Sequence, residues 1–124
     1  MNITLMTLIM ALISVESSGG DHEIGDNGQA WGCLQMHAGY VQDAAEHAGE
    51  DWTHQDAFDR ETAIQIITAY MDRYATEARL GRPVMAEDIA RIHNGGPNGY
   101  KKTATDQYWV KVRAEILKIK TTNK

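Results

Sequence analysis

Apolar positions recur along this chain with the spacing of helices, and glycine-rich stretches separate the helical segments. Residues 3–16 are apolar on nearly every side, which predicts a first helix that is mostly buried. Further on, apolar residues three and four positions apart predict helices over about 38–48, 59–80, 86–93 and 104–119. The pattern therefore indicates a mainly α-helical protein with about five helices.

Residues 21–36 interrupt this helical pattern. They hold several glycines, and Asn27-Gly28 is a dipeptide typical of a tight hairpin turn. We therefore expect a short β-hairpin or an irregular loop here. The resulting fold class is mainly α (α+β), a helical bundle with one small β-hairpin or irregular lobe, and 124 residues suit a single domain over residues 1–124.

The composition, 43% hydrophobic and 23% charged, is that of an ordinary globular protein. Cys33 is the single cysteine, so no disulfide can form within the chain, and a small buried hydrophobe is the favoured interpretation. The apolar N-terminal run has no Lys or Arg before it and no convincing cleavage site after it. It is also too short to cross a bilayer. We expect neither a signal peptide nor an integral membrane segment.

The net charge is −5, and it is unevenly distributed. Residues 1–96 hold five Arg against fifteen Asp and Glu, whereas residues 97–124 hold seven Lys and Arg against two acidic residues. A solvated C-terminal helix explains the basic end. Because the whole chain is acidic and shows no recognised motif, no nucleic-acid partner is expected. The five histidines lack metal-ligand spacing, so the sequence predicts no metal site and no cofactor.

Glu16 ends the apolar helix, and Asp26 lies in the glycine-rich turn that follows. Burial and the negative end of the helix dipole both favour the protonated form of a carboxylic acid at position 16. A polar turn favours the ionised form at position 26. Glycosidic bond cleavage requires a proton on the leaving oxygen and negative charge near the developing cation. The two carboxyl groups therefore form a candidate general acid and its charged partner.

Four segments show a resemblance to a known family: "SVESSGG", "GDNGQAWGCLQM", "AYMDRY" and "ARIHNGGPNGYKKTATDQYWVKV". In order and spacing they resemble the invertebrate-type (i-type) lysozymes. The similarity covers about residues 9–113. The first half is also similar to goose-type lysozymes and lytic transglycosylases, which share an E-S-G segment followed by G-x-x-Q-[IVM].

The resemblance implies a lysozyme-like fold with a cleft between a helical lobe and a small β lobe. It implies Glu16 as the general acid and Asp26 as the second carboxylate. The loop is about one residue shorter here than in the family, so Asp21 and Glu23 are the alternatives to Asp26. The substrate-binding positions that the resemblance implies are Gln35, His37, Tyr40, Tyr70, His93, Asn94 and Gly95. Tyr70 could instead pack in the core, and His93 could serve only to end its helix.

The implied activity is that of a peptidoglycan hydrolase, a muramidase that cleaves the β-1,4 bond between N-acetylmuramic acid and N-acetylglucosamine. One alternative is a lytic transglycosylase that uses Glu16 alone, and another is a glycan-binding module without catalysis. Isopeptidase activity would need a nucleophilic serine with a base, and the sequence offers no convincing pair. Retention and inversion of the anomeric centre both stay open.

The single cysteine departs from the i-type family, whose members are rich in disulfides. A bacterial or bacteriophage origin accounts for this better than a secreted animal enzyme. We therefore expect a wall-lytic, endolysin-like protein, made in the bacterial cytoplasm and acting on the cell wall. Its expected partner is the glycan strand of peptidoglycan, and it is expected to be a monomer.

Overall fold

A computed structural model describes residues 3–122 of the chain, and it confirms a mainly helical fold with one small hairpin. The described residues divide into two compact units, one formed by residues 16–73 and the other by residues 3–15 and 74–122. The α-helices are α1 (Leu5–Ser17), α2 (Ala38–Ala48), α3 (Arg60–Tyr74), α4 (Glu77–Leu80), α5 (Ala86–Gly95) and α6 (Asp106–Thr122). The strands are β1 (Ile24–Gly25) and β2 (Ala30–Trp31), and 3₁₀ helices cover His54–Phe58, Gly99–Lys101 and Thr103–Thr105.

The predicted hairpin is present in the first unit. Strands β1 and β2 are antiparallel, with Ile24 opposite Trp31 and Gly25 opposite Ala30. The connecting residues Asp26, Asn27 and Gly28 all have positive φ, at 50°, 56° and 88°. Asp, Asn and Gly are the residues that adopt this conformation most readily, which explains why this sequence turns here.

Helix α1 confirms the predicted first helix but is not buried on all sides. Its buried residues are Leu8, Ile9, Ala11, Leu12 and Ile13. Leu5, Met6 and Met10 are 42%, 51% and 42% exposed, so an apolar stripe faces solvent. The sequence pattern could not reveal this, because both faces carry apolar side chains. The first two residues of the chain, at the start of this apolar run, lie outside the described residues, as do its last two.

The prediction of one helix over 59–80 is half right. Asp59 does cap its start, because its carboxylate accepts a hydrogen bond from the Thr62 backbone N–H at 3.0 Å. The chain then breaks into α3 and α4. Thr76 adopts an extended conformation (φ −124°, ψ 150°), and its hydroxyl accepts a hydrogen bond from the Arg79 N–H. A threonine that caps a new helix ends the preceding one, which the apolar spacing alone did not predict.

In the second unit, α5 packs against α6 and against the two short 3₁₀ turns between them. Helix α5 extends two residues beyond its predicted end, to Gly95, and Gly96 terminates it with φ 86°. Helix α6 begins and ends within three residues of its predicted bounds and buries Val112 and Ile116 completely. Within residues 3–122, no helix is both long and apolar enough to cross a membrane.

Candidate active site

Glu16 lies in the last turn of α1, where it is half-buried. The helix ends one residue later, and Ser18 and Gly19 reverse the chain with φ of 54° and 92°. The Ser17 hydroxyl donates a hydrogen bond to the Cys33 carbonyl oxygen at 2.8 Å. The end of α1 is therefore tied to the segment that follows the hairpin.

Asp26 and His37, both predicted as site residues, are in direct contact. Asp26 Oδ2 and His37 Nε2 lie 2.8 Å apart, and the two side chains are 58% and 48% exposed. The residues are at the hairpin tip and at the start of α2, and the chain between them includes both β2 and a turn. Both residues were predicted from the sequence, but their pairing was not.

The segment before His37 is held firmly to the hairpin. Trp31 and Met36 exchange both backbone hydrogen bonds, at 3.0 and 2.9 Å. The Gln35 side-chain amide donates to the Glu23 and Gly32 carbonyl oxygens, each at 3.0 Å. Gln35 was predicted to bind substrate, but in this structure its amide nitrogen is engaged in holding the hairpin together.

A groove of about 410 Å³ lies beside the Asp26–His37 pair. It is lined by Gly28, Gln29, Trp31, His37, Ala38, Gly39 and His54. The His54 ring stacks on Trp31 with centroids 3.7 Å apart and an interplanar angle of 1°. Its Nε2 lies 2.7 Å from the Met36 carbonyl oxygen. His54 was not predicted as a site residue, because it lies in a connection without periodicity and only the fold brings it to Trp31.

Tyr40 and Tyr70 stack on each other, with ring centroids 3.8 Å apart and an interplanar angle of 7°. Tyr70 is buried, as a core residue would be. Burial raises the pKa of Tyr40 well above its ordinary value, and the neighbouring Tyr70 and Glu16 raise it further. Glu16 and the two tyrosines therefore belong to one cluster within the same unit.

The raised pKa of Tyr40 predicts a late step in an alkaline titration. Because the folded state favours the neutral phenol, this contribution to stability is complete below the ordinary tyrosine pKa and is lost as pH rises through the folded value. We expect the absorbance at 295 nm to show that fewer than the five tyrosines ionise together near pH 10. Tyr40→Phe should reduce the delayed component. A single transition for all five tyrosines in the folded wild type would contradict this expectation.

The two alternatives to Asp26 have different surroundings. Asp21 Oδ1 accepts a hydrogen bond from Arg60 Nε at 2.7 Å, and the same guanidinium donates to the Gly19 carbonyl oxygen at 2.6 Å. Glu23 is exposed, and its backbone carbonyl accepts from the Gly32 N–H at 2.8 Å. Asp21 therefore helps to hold the loop after α1 to the start of α3.

His93, Asn94 and Gly95 belong to the other unit, in the last turn of α5. His93 is buried at 8% exposure, whereas Asn94 is exposed. The Gly95 carbonyl oxygen accepts a hydrogen bond from Lys102 Nζ at 2.8 Å. A Cβ at Gly95 would lie only 2.6 Å from Thr105 Cγ2, so a side chain there would displace the Thr105 side chain.

Arg91 organises the turns after these three residues. Its guanidinium donates to the Thr105 hydroxyl and to the Lys102 carbonyl oxygen, both at 2.8 Å, and forms ion pairs with Glu87 and Asp106. Its side chain is only 14% exposed. Arg91 was not predicted to have this role, although it lies inside the "ARIHNGGPNG" motif.

Cys33 is completely buried, as the sequence predicted. Burial is the main reason that the pKa of its thiol is raised, so the reactive thiolate is scarce at neutral pH. We expect the native protein to react with Ellman's reagent on the order of 100-fold more slowly than the protein in denaturant. Equal rates in the two conditions would show that Cys33 is accessible in the folded state.

Side chains able to bind a metal ion do not cluster in the described part of the chain: no group of three or more His, Cys, Asp or Glu forms a suitable site there. His47, one of the histidines considered, instead pairs with Asp72 at 2.9 Å between Nε2 and Oδ2.

Comparison with known proteins yields a family and several bivalve relatives. The Destabilase family matches residues 8–115. The chain is 38% identical over 96 residues to an invertebrate-type lysozyme of Ruditapes philippinarum, covering 74% of this chain and 68% of that protein. It is 35% identical over 89 residues to Lysozyme 1 of Crassostrea virginica, covering 72% of this chain. The chain spans only 46% of that protein's length.

A solved structure is similar over nearly the whole fold. The inhibitor-bound lysozyme from Meretrix lusoria superimposes with a TM-score of 0.73 at 29% identity, covering 90% of this chain and 89% of that one. All three relatives come from bivalves, so they lend no support to the expected bacterial or bacteriophage origin. The match over residues 8–115 and the likeness in both sequence and structure show that the chain belongs to the Destabilase family of invertebrate-type lysozymes.

Proposed function

We propose that the chain is a muramidase that hydrolyses the β-1,4 bond between N-acetylmuramic acid and N-acetylglucosamine in peptidoglycan. The main support is that a family of lysozymes matches the chain over residues 8–115, a range that includes both candidate carboxyl groups. Glu16 at the end of α1 and Asp26 at the hairpin tip lie in the same compact unit.

In the proposed mechanism, Glu16 protonates the oxygen of the leaving sugar. Its half-buried position at the C-terminal end of α1, close to Tyr40, supports this role. As the glycosidic bond breaks, positive charge develops on the other sugar. Asp26 supplies the balancing negative charge, either by stabilising this cation, by attacking it, or by orienting water.

Asp26 is a better candidate for the second carboxylate than either alternative. Its side chain lies at the edge of a groove, because its partner His37 is one of the lining residues. Asp21 is paired with the guanidinium of Arg60, whose permanent positive charge offsets the negative charge that a second carboxylate would have to supply. Glu23 is exposed and directly precedes β1, and it is not among the residues that line this groove.

The groove beside Asp26 is the proposed location for part of the glycan. His37 lines this groove, and Tyr40 lies next to Glu16. We retain the substrate-binding proposal for Gln35, His37, Tyr40, Tyr70, His93, Asn94 and Gly95. For Gln35, Tyr70 and Gly95 the contacts described above favour a supporting role, in which they shape the backbone or the ring that meets the sugar.

Analysis of the products tests the proposed activity. Purified chain is incubated with peptidoglycan, and the soluble fragments are identified by mass spectrometry. Hydrolysis gives reducing N-acetylmuramic acid ends. Release of 1,6-anhydro ends would instead identify a lytic transglycosylase that uses Glu16 alone. Binding to peptidoglycan without any cleavage would identify a glycan-binding module.

The remaining expectations stay predictions from the sequence. A monomer is checked by light scattering on the purified chain. The bacterial or bacteriophage source rests on the single cysteine alone, and the bivalve relatives give it no support; synthesis in the cytoplasm and action on the cell wall stay expectations.

A further inference from the structure

We propose that His37 is a positioning residue for the second carboxylate: it holds Asp26 Oδ2 so that the other oxygen of the carboxylate faces the substrate. This inference rests on the proposed function, because it assigns a role within the same reaction. It starts from the 2.8 Å contact between Asp26 Oδ2 and His37 Nε2.

Asp26 needs such a partner because of where the fold puts it. The residue is at the tip of a hairpin whose strands are two residues long, and its side chain is 58% exposed. A carboxylate in that position can adopt several rotamers. Charge stabilisation in catalysis requires a group that is already oriented before the reaction begins. A hydrogen bond to one carboxylate oxygen restricts rotation and leaves the second oxygen for the sugar.

His37 can do this because its own backbone is fixed. It follows Met36, which is bonded to Trp31 of the hairpin through both backbone groups and accepts a third hydrogen bond from His54 at its carbonyl oxygen. On its other side, the His37 carbonyl oxygen accepts from the Val41 N–H at 3.2 Å and so begins α2. The imidazole therefore projects from a rigid junction toward a less constrained turn.

The chain provides a matched control for this pair. His47 Nε2 and Asp72 Oδ2 are 2.9 Å apart, with the two side chains 35% and 78% exposed. The chemistry of the two pairs is the same, and in each pair the carboxylate is more exposed than the imidazole. Neither His47 nor Asp72 lines the groove. If an exposed His–Asp pair mattered only for general stability, removal of either histidine would have comparable effects.

The test compares steady-state cleavage of a soluble peptidoglycan oligosaccharide by His37→Leu, His37→Gln and His47→Leu. We expect His37→Leu to lower kcat on the order of tenfold through misplacement of Asp26, with a smaller change in KM. Glutamine carries an amide nitrogen close to the position of Nε2, so His37→Gln should recover most of that loss. His47→Leu should keep the wild-type kcat. Circular dichroism and Tm of each variant establish that the fold is intact.

A double variant separates positioning from direct sugar binding. If His37 acts through Asp26, adding His37→Leu to Asp26→Asn should change kcat less than twofold further. Full tenfold additivity, or an unchanged kcat in folded His37→Leu, would overturn the inference while leaving the muramidase proposal intact. Failure of the muramidase proposal looks different, because the wild type would then release no reducing ends at all.

Discussion

Glu16→Gln is expected to lower the rate of peptidoglycan cleavage by about 10²–10⁴-fold with little change in stability, because the amide has the shape of the acid but no proton to donate. The half-buried end of α1 accommodates the isosteric side chain without a change in volume. The measurement is the turnover of a defined oligosaccharide, together with circular dichroism and Tm for the same preparation.

A suitable control is Glu50→Gln, which changes an exposed glutamate just beyond the end of α2. It removes one negative charge from the same unit without touching the proposed site, and its turnover should equal that of the wild type. If folded Glu16→Gln keeps a wall-lytic activity within a factor of three of the wild type, Glu16 is not the general acid.

Asp26→Asn is expected to reduce kcat by about 100-fold, which corresponds to roughly 3 kcal/mol for one preorganised electrostatic contact in the transition state. Asparagine tolerates the positive φ of 50° at this position as well as aspartate does, so the hairpin should keep its shape. The amide removes the negative charge but can still accept a hydrogen bond from His37. The experiment therefore tests the negative charge of the Asp26 carboxylate separately from its orientation by His37.

Asp72→Asn is the matched control for Asp26→Asn. It makes the same change in an exposed aspartate that pairs with a histidine, and it lies in α3. Its kcat should match the wild-type value. If Asp26→Asn also turns over at the wild-type rate and its products carry anhydro ends, the residue is only a turn former and the enzyme is a transglycosylase.

Local patterns in the sequence predicted most of the elements. The spacing of apolar residues located α2 and α6 closely, and Asn27-Gly28 identified the hairpin turn. These features depend on contacts within a few residues, namely helix periodicity and the backbone conformations that Asn and Gly adopt easily. The break between α3 and α4 also depends only on neighbouring residues. There the helical spacing of apolar residues continues across Thr76, although Thr76 itself is extended and caps α4. Apolar spacing alone cannot resolve such a competition.

The chemistry of the candidate site was only partly visible in the sequence. The position of Glu16 at a helix end and of Asp26 in a polar turn followed from the pattern, and the resemblance to a family connected them to one reaction. By contrast, several contacts join side chains that are distant along the chain. Arg60 binds Asp21, His54 stacks on Trp31, and Tyr70 stacks on Tyr40.

The sequence by itself thus determined most of the helices and the hairpin turn and proposed two carboxyl groups for the reaction, because each of these depends on neighbouring residues. Only the tertiary structure decided which groups those carboxyls meet. Asp26 faces His37 because the hairpin and the Trp31–Met36 bridge bring the turn back to the start of α2. Which side chains meet in three dimensions depends on how the elements pack and on the register of the strands. The spacing of residues along one segment determines neither of these.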